Sequence, residues 1–127
     1  MIGLTLALGM SSTVFAETSS LPTLDGKTFH GNIGMKGKKN KFNDDLVFKD
    51  GTFLSTACQK SDGFGPAKYE TSSTGKDIGF TVISTNDKGS KMNWKGTIHG
   101  NTASADIVQT NADGTVDHLW YKGKVAK

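Results

Sequence analysis

The clearest structural signal in this chain is the stretch LVFKDGTFLS, residues 46–55. Its centre, Asp50-Gly51, is a two-residue connection of the kind that forms a type I′ turn between antiparallel strands. Such a turn fixes the register of the hairpin and places Phe48 opposite Phe53, with both rings on one face of the sheet. The stretch therefore predicts a β-hairpin with an aromatic inner face.

Turn chemistry recurs along the chain, and from Asp50 onward the turns lie about 12 to 13 residues apart. This spacing is typical of successive strands in an antiparallel barrel or sandwich. The segments between the turns are rich in β-branched and aromatic residues, and none after residue 16 has a sustained helical period. We predict eight strands, near residues 27–36, 44–49, 52–59, 67–73, 77–85, 90–99, 102–110 and 115–125. We expect no helix beyond a single turn after Glu17.

Three segments share a pattern in which an aromatic residue, a glycine and an aliphatic residue occupy alternate positions: FHGNI (29–33), WKGTI (94–98) and YKGKV (121–125). Alternate positions of a strand face the same side of the sheet, so each glycine points inward beside a ring. Inward glycines permit the bending that a closed sheet requires. Because all connections are short, neighbouring strands should pair as an up-and-down meander. We therefore predict an all-β fold, a single antiparallel meander closing into a small barrel, with a β-sandwich as the second choice.

The same alternation predicts the core. An eight-stranded barrel has just enough interior to be filled by its own side chains or to hold one small ligand. Seven inward aromatic residues favour a filled interior, and a roomy carrier cavity is the alternative. The predicted inward positions are Phe29, Ile33, Met35, Leu46, Phe48, Phe53, Ala57, Tyr69, Ile78, Phe80, Val82, Met92, Trp94, Ile98, Tyr121 and Val125.

The last predicted hairpin has two incompatible assignments. The aromatic and glycine pattern points Tyr121 inward, whereas a four-residue connection at 111–114 would pair Ala105 with Trp120 and point Trp120 inward. A one-residue bulge would reconcile the two. In either case one of the adjacent rings faces outward, where it either anchors a partner or lies flat on the barrel.

The first sixteen residues have the features of a secretion signal. An apolar run, residues 2–8, precedes Val14-Phe15-Ala16, whose small residues at the first and third positions suit cleavage before Glu17. No Lys or Arg precedes the run, so we expect its true start upstream; an ordinary buried segment is the alternative. We expect a signal peptide over 1–16, one barrel domain over 17–127, and export to the periplasm or the cell exterior. The run is too short to span a membrane, and the strands carry outward lysines instead of a lipid-facing band.

The composition fits one soluble globular domain, with 35% hydrophobic and 21% charged residues. Fifteen lysines, no arginine and 12 acidic residues give a net charge of +3. Because arginine is the residue best suited to bidentate phosphate and base contacts, we expect no nucleic-acid partner. The lysines of residues 36–41 are followed by Asp44 and Asp45, which should cancel much of their field. We interpret them as a solvated hairpin tip, with contact to an anionic envelope surface as the alternative.

Chemical motifs are scarce. The sequence contains no metalloprotease, nucleophile-elbow or phosphate-loop motif, so we predict a non-enzymatic protein without cofactor or metal. His30 and His118 would approach each other only because the first and last strands adjoin in a barrel. Cys58 is the only cysteine, which excludes an internal disulfide. We interpret it as an inert packed thiol, with catalytic use or an intermolecular disulfide as alternatives.

The loop Gly63-Phe64-Gly65-Pro66 places a Phe between two glycines, where it either plugs a barrel end or inserts into a ligand or partner. We take this loop and the open barrel end as the candidate contact region. The candidate binding residues are Cys58, Phe64, Lys68, Tyr69, His118 and Trp120.

Eight meandering strands behind a signal peptide resemble the calycin superfamily, which includes lipocalins, fatty-acid-binding proteins and avidins. The resemblance is architectural and spans the chain after residue 16; GKTF (26–29) stands where lipocalins have Gly-x-Trp. The triplet AKY (67–69) resembles part of the reactive loop of bacterial periplasmic lysozyme inhibitors, and residues 48–59 are similar in spacing to META-type heat-shock domains. We carry over no activity from these resemblances and predict a monomeric binding module for a small apolar ligand or a periplasmic protein. The alternative is a periplasmic enzyme inhibitor that docks through the loop after Cys58.

Overall fold

The computed structural model describes residues 21–126 as a closed antiparallel barrel of eight strands with one short helix. In chain order the elements are β1 (Thr28–Met35), β2 (Lys41–Lys49), β3 (Thr52–Ser55), α1 (Thr56–Asp62), β4 (Ala67–Thr74), β5 (Asp77–Thr85), β6 (Lys91–His99), β7 (Thr102–Thr110) and β8 (Val116–Val125). Each strand pairs with the next, and β8 pairs with β1. The predicted barrel is confirmed and is consistent with a calycin-like architecture. The predicted signal peptide and the turn after Glu17 lie outside the described residues.

The β2–β3 hairpin has the predicted turn and register. Asp50 and Gly51 both have positive φ, 53° and 78°, as a type I′ turn requires. Phe48 pairs with Phe53, and their ring centroids lie 5.3 Å apart in an edge-on arrangement. The local turn chemistry therefore aligns the two strands as the sequence predicts.

Closure of the barrel depends on a glycine pair. Gly31 of β1 lies opposite Gly123 of β8, where the two strands meet. A Cβ on Gly31 would overlap the carbonyl of Lys122, and a Cβ on Gly123 would lie 2.7 Å from the carbonyl oxygen of His30. Since any side chain there would separate the strands, these glycines allow the seam to form.

The barrel interior is filled by side chains. Phe48 lies at the centre of this packing, with the rings of Phe29, Phe53, Phe80 and Tyr69 all within 6.0 Å of it, centroid to centroid. The largest buried side chains are Trp94, Tyr121, Phe29, Phe48, Phe53 and Phe80, all 2% exposed or less. The expectation of a filled interior therefore agrees with the packing of these rings.

Residues 56–62 form a helix and not the second half of a strand, so the prediction of no helix in this part of the chain was wrong. The Ser55 side chain caps the helix by accepting a hydrogen bond from the Cys58 amide. Gly63 ends it in the left-handed conformation, and its amide donates to the Gln59 carbonyl. Ala57, predicted to point inward from a strand, is half-buried on this helix. The helix is too short for a hydrophobic period to be recognised.

The last hairpin needs no bulge. Thr110 pairs with Val116, so the connection has five residues, 111–115, and not the four that were predicted. This one-residue difference places Ala105 opposite Tyr121, which is completely buried, and turns Trp120 outward. The pattern of alternating aromatic, glycine and aliphatic residues therefore predicted the inward position of Tyr121 correctly, and the four-residue connection did not.

The meander divides the connections between two ends of the barrel. At one end, called the helix end, lie α1 and the β1–β2, β5–β6 and β7–β8 connections. At the other end lie the remaining turns and the segment of residues 21–27, and we call this segment the strap. Leu24 is fully buried at the strap, and Phe64 is 2% exposed after α1. One apolar side chain thus closes the core at each end.

Candidate functional site

The six predicted site residues lie in three separate places. Cys58 and Phe64 are buried under the helix end, whereas Lys68 and Tyr69 lie at the start of β4. His118 and Trp120 lie on β8, beside β1. The described structure therefore does not bring them together into one site.

A buried carboxylate connects β2 to α1. Asp44 is 1% exposed and accepts hydrogen bonds from the Ser55 hydroxyl at 2.7 Å and the Ala57 amide at 3.0 Å. Burial raises the pKa of Asp44, although the hydrogen bonds from Ala57 and Ser55 oppose the shift. Since all these partners belong to the start of α1, Asp44 is engaged in holding the helix.

Cys58 and Phe64 are enclosed in the core beside this carboxylate. Burial raises the pKa of the Cys58 thiol to about 12, so the thiol stays protonated at neutral pH. The Phe64 amide donates to the Cys58 carbonyl at 3.4 Å, which folds the chain back over the barrel. This arrangement favours the packed thiol and the plug over the reactive and contact roles.

Tyr69 holds the strap. Its hydroxyl donates to Asp25 Oδ1 at 2.6 Å and accepts from the Leu24 amide at 3.1 Å, while its ring packs edge-on against Phe48. Desolvation, followed by the hydrogen bond to Asp25, raises the pKa of Tyr69. The polar end of Tyr69 is therefore occupied by the protein itself.

Trp120 lies against a glycine on the outer surface. A Cβ on Gly34 would lie 2.9 Å from Trp120 Cζ2, so the indole ring occupies the space that a side chain there would fill. His118 is exposed, and its carbonyl accepts from the Lys36 amide, which pairs the two residues across β8 and β1. His30 lies six positions from Lys36 along β1 and instead contacts Asp45 at 2.7 Å. The approach of His30 to His118 is thus excluded, and residues 21–126 contain no cluster of three or more metal-ligating side chains.

The strongest exposed feature lies at the β1–β2 hairpin. Phe42 is 65% exposed and Met35, which was predicted to point inward, is 39% exposed. Together with Lys38, Lys39 and Asn40 they line a shallow surface cavity of about 390 Å³. We call Met35, Phe42, Lys38, Lys39 and Lys41 the hairpin corner. The large apolar side chains exposed between residues 21 and 126 are Leu21, Met35, Phe42, Ile83 and Val116. Val116 is the first residue of β8 and lies, like Met35 and Phe42, at the helix end of the barrel.

The lysines of the corner have no carboxylate partner within 4.0 Å in the described part of the chain. Lys36 instead pairs with Asp106 at 2.9 Å. Asp44 and Asp45, which were expected to cancel this charge, form no ion pair with the corner lysines, because Asp44 points into the core towards α1 and Asp45 contacts His30. Positive charge therefore remains beside the exposed apolar side chains.

Two other surface grooves offer weaker chemistry. A groove of about 630 Å³ over β1, β7 and β8 is lined by polar side chains and small residues, with no large apolar group. A groove of about 500 Å³ over β4, β5 and β6 contains the exposed Ile83 but mixes Lys68 and Lys95 with Glu70. The hairpin corner alone among these combines several exposed apolar side chains with unopposed positive charge.

Sequence reasoning missed Phe42 because the second strand was expected to begin at residue 44. It begins at Lys41, and Phe42 shares its parity with Asp44, Leu46 and Phe48. Pairing of β2 with β3 covers only Leu46–Lys49, so nothing from β3 covers Phe42. Alternation alone would place Phe42 on the inner face with these residues, so no signal in the sequence marks it as exposed.

Comparison with protein-family models, with curated proteins and with solved structures gave no match to this chain. In the described part of the chain, no helix has the length and apolar character needed to cross a bilayer.

Proposed function

We propose that this protein is an exported, non-enzymatic binding module that contacts its partner through the hairpin corner. The observation that carries the proposal is the exposure of Phe42 and Met35 beside Lys38 and Lys39, which line the same cavity. Lys41, the neighbour of Phe42 in β2, adds a third charge, and none of the three lysines has a described carboxylate partner. Exposed apolar groups bordered by charge are the usual chemistry of a contact surface. The partner class that fits is amphiphilic and anionic.

The filled interior supports binding at the surface. A barrel of eight strands can hold one small ligand, but Phe48, Phe53, Phe80 and Trp94 occupy that space here. The indole nitrogen of Trp94 is buried there without a hydrogen-bond partner among the described residues. One donor does not supply the converging polar groups that orient a ligand in an enclosed pocket.

Docking through the loop after Cys58, as in an enzyme inhibitor, has less support. Phe64, the one large side chain of that loop, is buried, while Pro66 is exposed without a large apolar neighbour in the loop. The raised pKa of Cys58 also argues against nucleophilic chemistry there. Export rests on the signal-like residues 1–16, which lie outside the described structure.

The test is an NMR titration of the ¹⁵N-labelled chain with octyl sulfate, a single-chain anionic amphiphile, kept below its micelle concentration. We expect amide shifts concentrated at residues 35–42, because the alkyl chain contacts Met35 and Phe42 while the sulfate is attracted to the lysines. Phe42→Ser should reduce these shifts, and Ile83→Ser, which removes an equally exposed apolar side chain elsewhere, should not. Shifts centred on interior residues or on the loop at 63–66 would contradict the proposal.

A further inference from the structure

We propose that the hairpin corner is a docking surface for a lipid bilayer that carries anionic headgroups. Phe42 and Met35 would enter the boundary between headgroups and acyl chains, and the three corner lysines would face the lipid phosphates. This inference rests on the proposed function and names the partner of the same surface. Its support comes from the shape of the hairpin, the type of its charges and the charges on neighbouring connections.

The shape of the hairpin corner suits contact with a lipid bilayer better than contact with a protein. β1 and β2 remain paired as far as Gly34 and Lys41, whereas the pairing of β2 with β3 stops at Leu46. The hairpin therefore extends past β3 on one side, with residues 41–43 all exposed, while β8 flanks β1 on the other side as far as Met35. A protein partner of ordinary affinity needs roughly 800 Å² on each side, which is more than the few exposed side chains of this hairpin offer. A bilayer needs only that a few apolar side chains reach below its headgroups.

The charges are of the type that a membrane surface attracts. The chain has no arginine, the residue that dominates specific contacts with carboxylates and phosphates in protein partners. Lysine is a flexible point charge, which suits a mobile array of headgroups. Each lysine near an anionic bilayer strengthens binding by about fivefold, the equivalent of about 1 kcal/mol. Three lysines around two apolar side chains thus provide both components of interfacial binding.

Charges elsewhere at the helix end set the orientation. The α1, β5–β6 and β7–β8 segments there contribute Asp62, Asp87 and Asp113, together with Lys60 and Lys88. Because these three carboxylates outnumber the two lysines, the segments oppose an upright approach in which the whole end meets the bilayer. The barrel should therefore approach tilted, led by the β1–β2 hairpin.

The experiment is co-sedimentation of the full chain with vesicles of phosphatidylglycerol and phosphatidylethanolamine, compared with neutral phosphatidylcholine vesicles. The neutral vesicles measure the apolar part of the binding, whether it comes from Phe42 and Met35 or from the apolar run at 2–8. We expect at least tenfold stronger partition into the anionic vesicles, and a decrease with added salt because the lysine contacts are exposed.

Two matched pairs of variants locate the contact. Replacing Lys38, Lys39 and Lys41 with Gln should lower partition at least tenfold. The same replacement of Lys68, Lys95 and Lys124, which lie away from the helix end, removes the same number of charges and should change partition less than threefold. Phe42→Ser should lower partition at least threefold, and Ile83→Ser should leave it unchanged. All these side chains are exposed, and the urea midpoint of each variant checks that the fold is retained.

The outcomes separate the two proposals. Equal losses in the two lysine variants would overturn the inference, because binding would then follow net charge alone. Absence of partition into anionic vesicles, with octyl sulfate shifts still mapping to residues 35–42, would overturn the membrane inference and leave the proposed function with an acidic protein as the partner class. Absence of both signals would overturn both.

Discussion

The ring of Phe80 occupies the space that a side chain on Gly96 would need. The two residues are paired across β5 and β6, and a Cβ on Gly96 would overlap the edge of this ring and lie 2.9 Å from the Ser104 carbonyl oxygen. The glycine in the middle of a strand therefore serves the packing of the aromatic core. This relationship explains the glycine of the 94–98 segment, whereas Gly31 and Gly123 of the other two segments allow the strands of the seam to meet.

Gly96→Val should lower the free energy of unfolding by more than about 2 kcal/mol, because the branched side chain would displace Phe80. The measurement is the urea midpoint of unfolding. Gly65→Val is the matched control, since a Cβ there meets nothing within 4 Å. Similar midpoints for the two variants would show that the space beside Phe80 is not required.

Phe64→Ala should cost about 3 kcal/mol of stability, because it opens a cavity where a buried ring closes the helix end. The same change should speed alkylation of Cys58, whose burial raises its pKa to about 12 and which should react slowly in the parent protein. Pro66→Ala, at the exposed end of the loop, serves as the control. Unchanged stability together with rapid labelling of the parent would instead restore Phe64 as a contact residue.

Tyr69→Phe should reduce stability by about 1 kcal/mol, the usual net value of a hydrogen bond that is lost from a folded protein. The ring would keep its contact with Phe48, but the Leu24 amide would lose its acceptor. Hydrogen exchange at Leu24 should therefore accelerate, while exchange at Met92 in β6 stays as in the parent. An unchanged exchange rate at Leu24 would mean that the hydroxyl does not hold the strap.

Asp44→Asn should alter how stability depends on pH. Burial raises the pKa of Asp44 above its ordinary 3.8, so the folded chain binds this proton more tightly than the unfolded chain. The contribution of Asp44 to stability is therefore greatest below pH 3.8 and falls as the pH rises through the raised pKa. The stability of the parent relative to Asp44→Asn should decline as the pH rises above about 4, measured by urea unfolding. A constant or rising difference would contradict the assigned shift.

The features predicted most accurately depend on residues that are close to one another in the sequence. The turn at Asp50-Gly51 aligned Phe48 with Phe53, and strand alternation identified the inward rings. The register error in the last hairpin came from counting four connecting residues where hydrogen bonding leaves five unpaired. A connection length is decided at the strand ends, where the preferences of single residues are weakest.

The helix at 56–62 was missed for a related reason. Its signals are a capping Ser55 and a left-handed Gly63, which also fit the turns of an all-strand chain. What stabilises the helix is the buried Asp44, which lies far from it in sequence and accepts from Ser55 and Ala57. A hydrogen bond between distant segments is not visible in either segment alone.

The hairpin corner shows which features follow from neighbouring residues in the sequence and which follow from packing between separate segments. Phe42 and Phe48 have the same parity on the same strand, and the sequence pattern assigns both to the inner face. Phe48 is 1% exposed because four rings of the core surround it, whereas Phe42 is 65% exposed at the end of β2 that extends beyond β3. Local chemistry thus specified the turns, the inward face and the barrel. The exposure of Phe42 and the lack of a carboxylate beside its lysines depend on where β3 ends and where Asp44 and Asp45 point, and only packing between distant segments sets those positions.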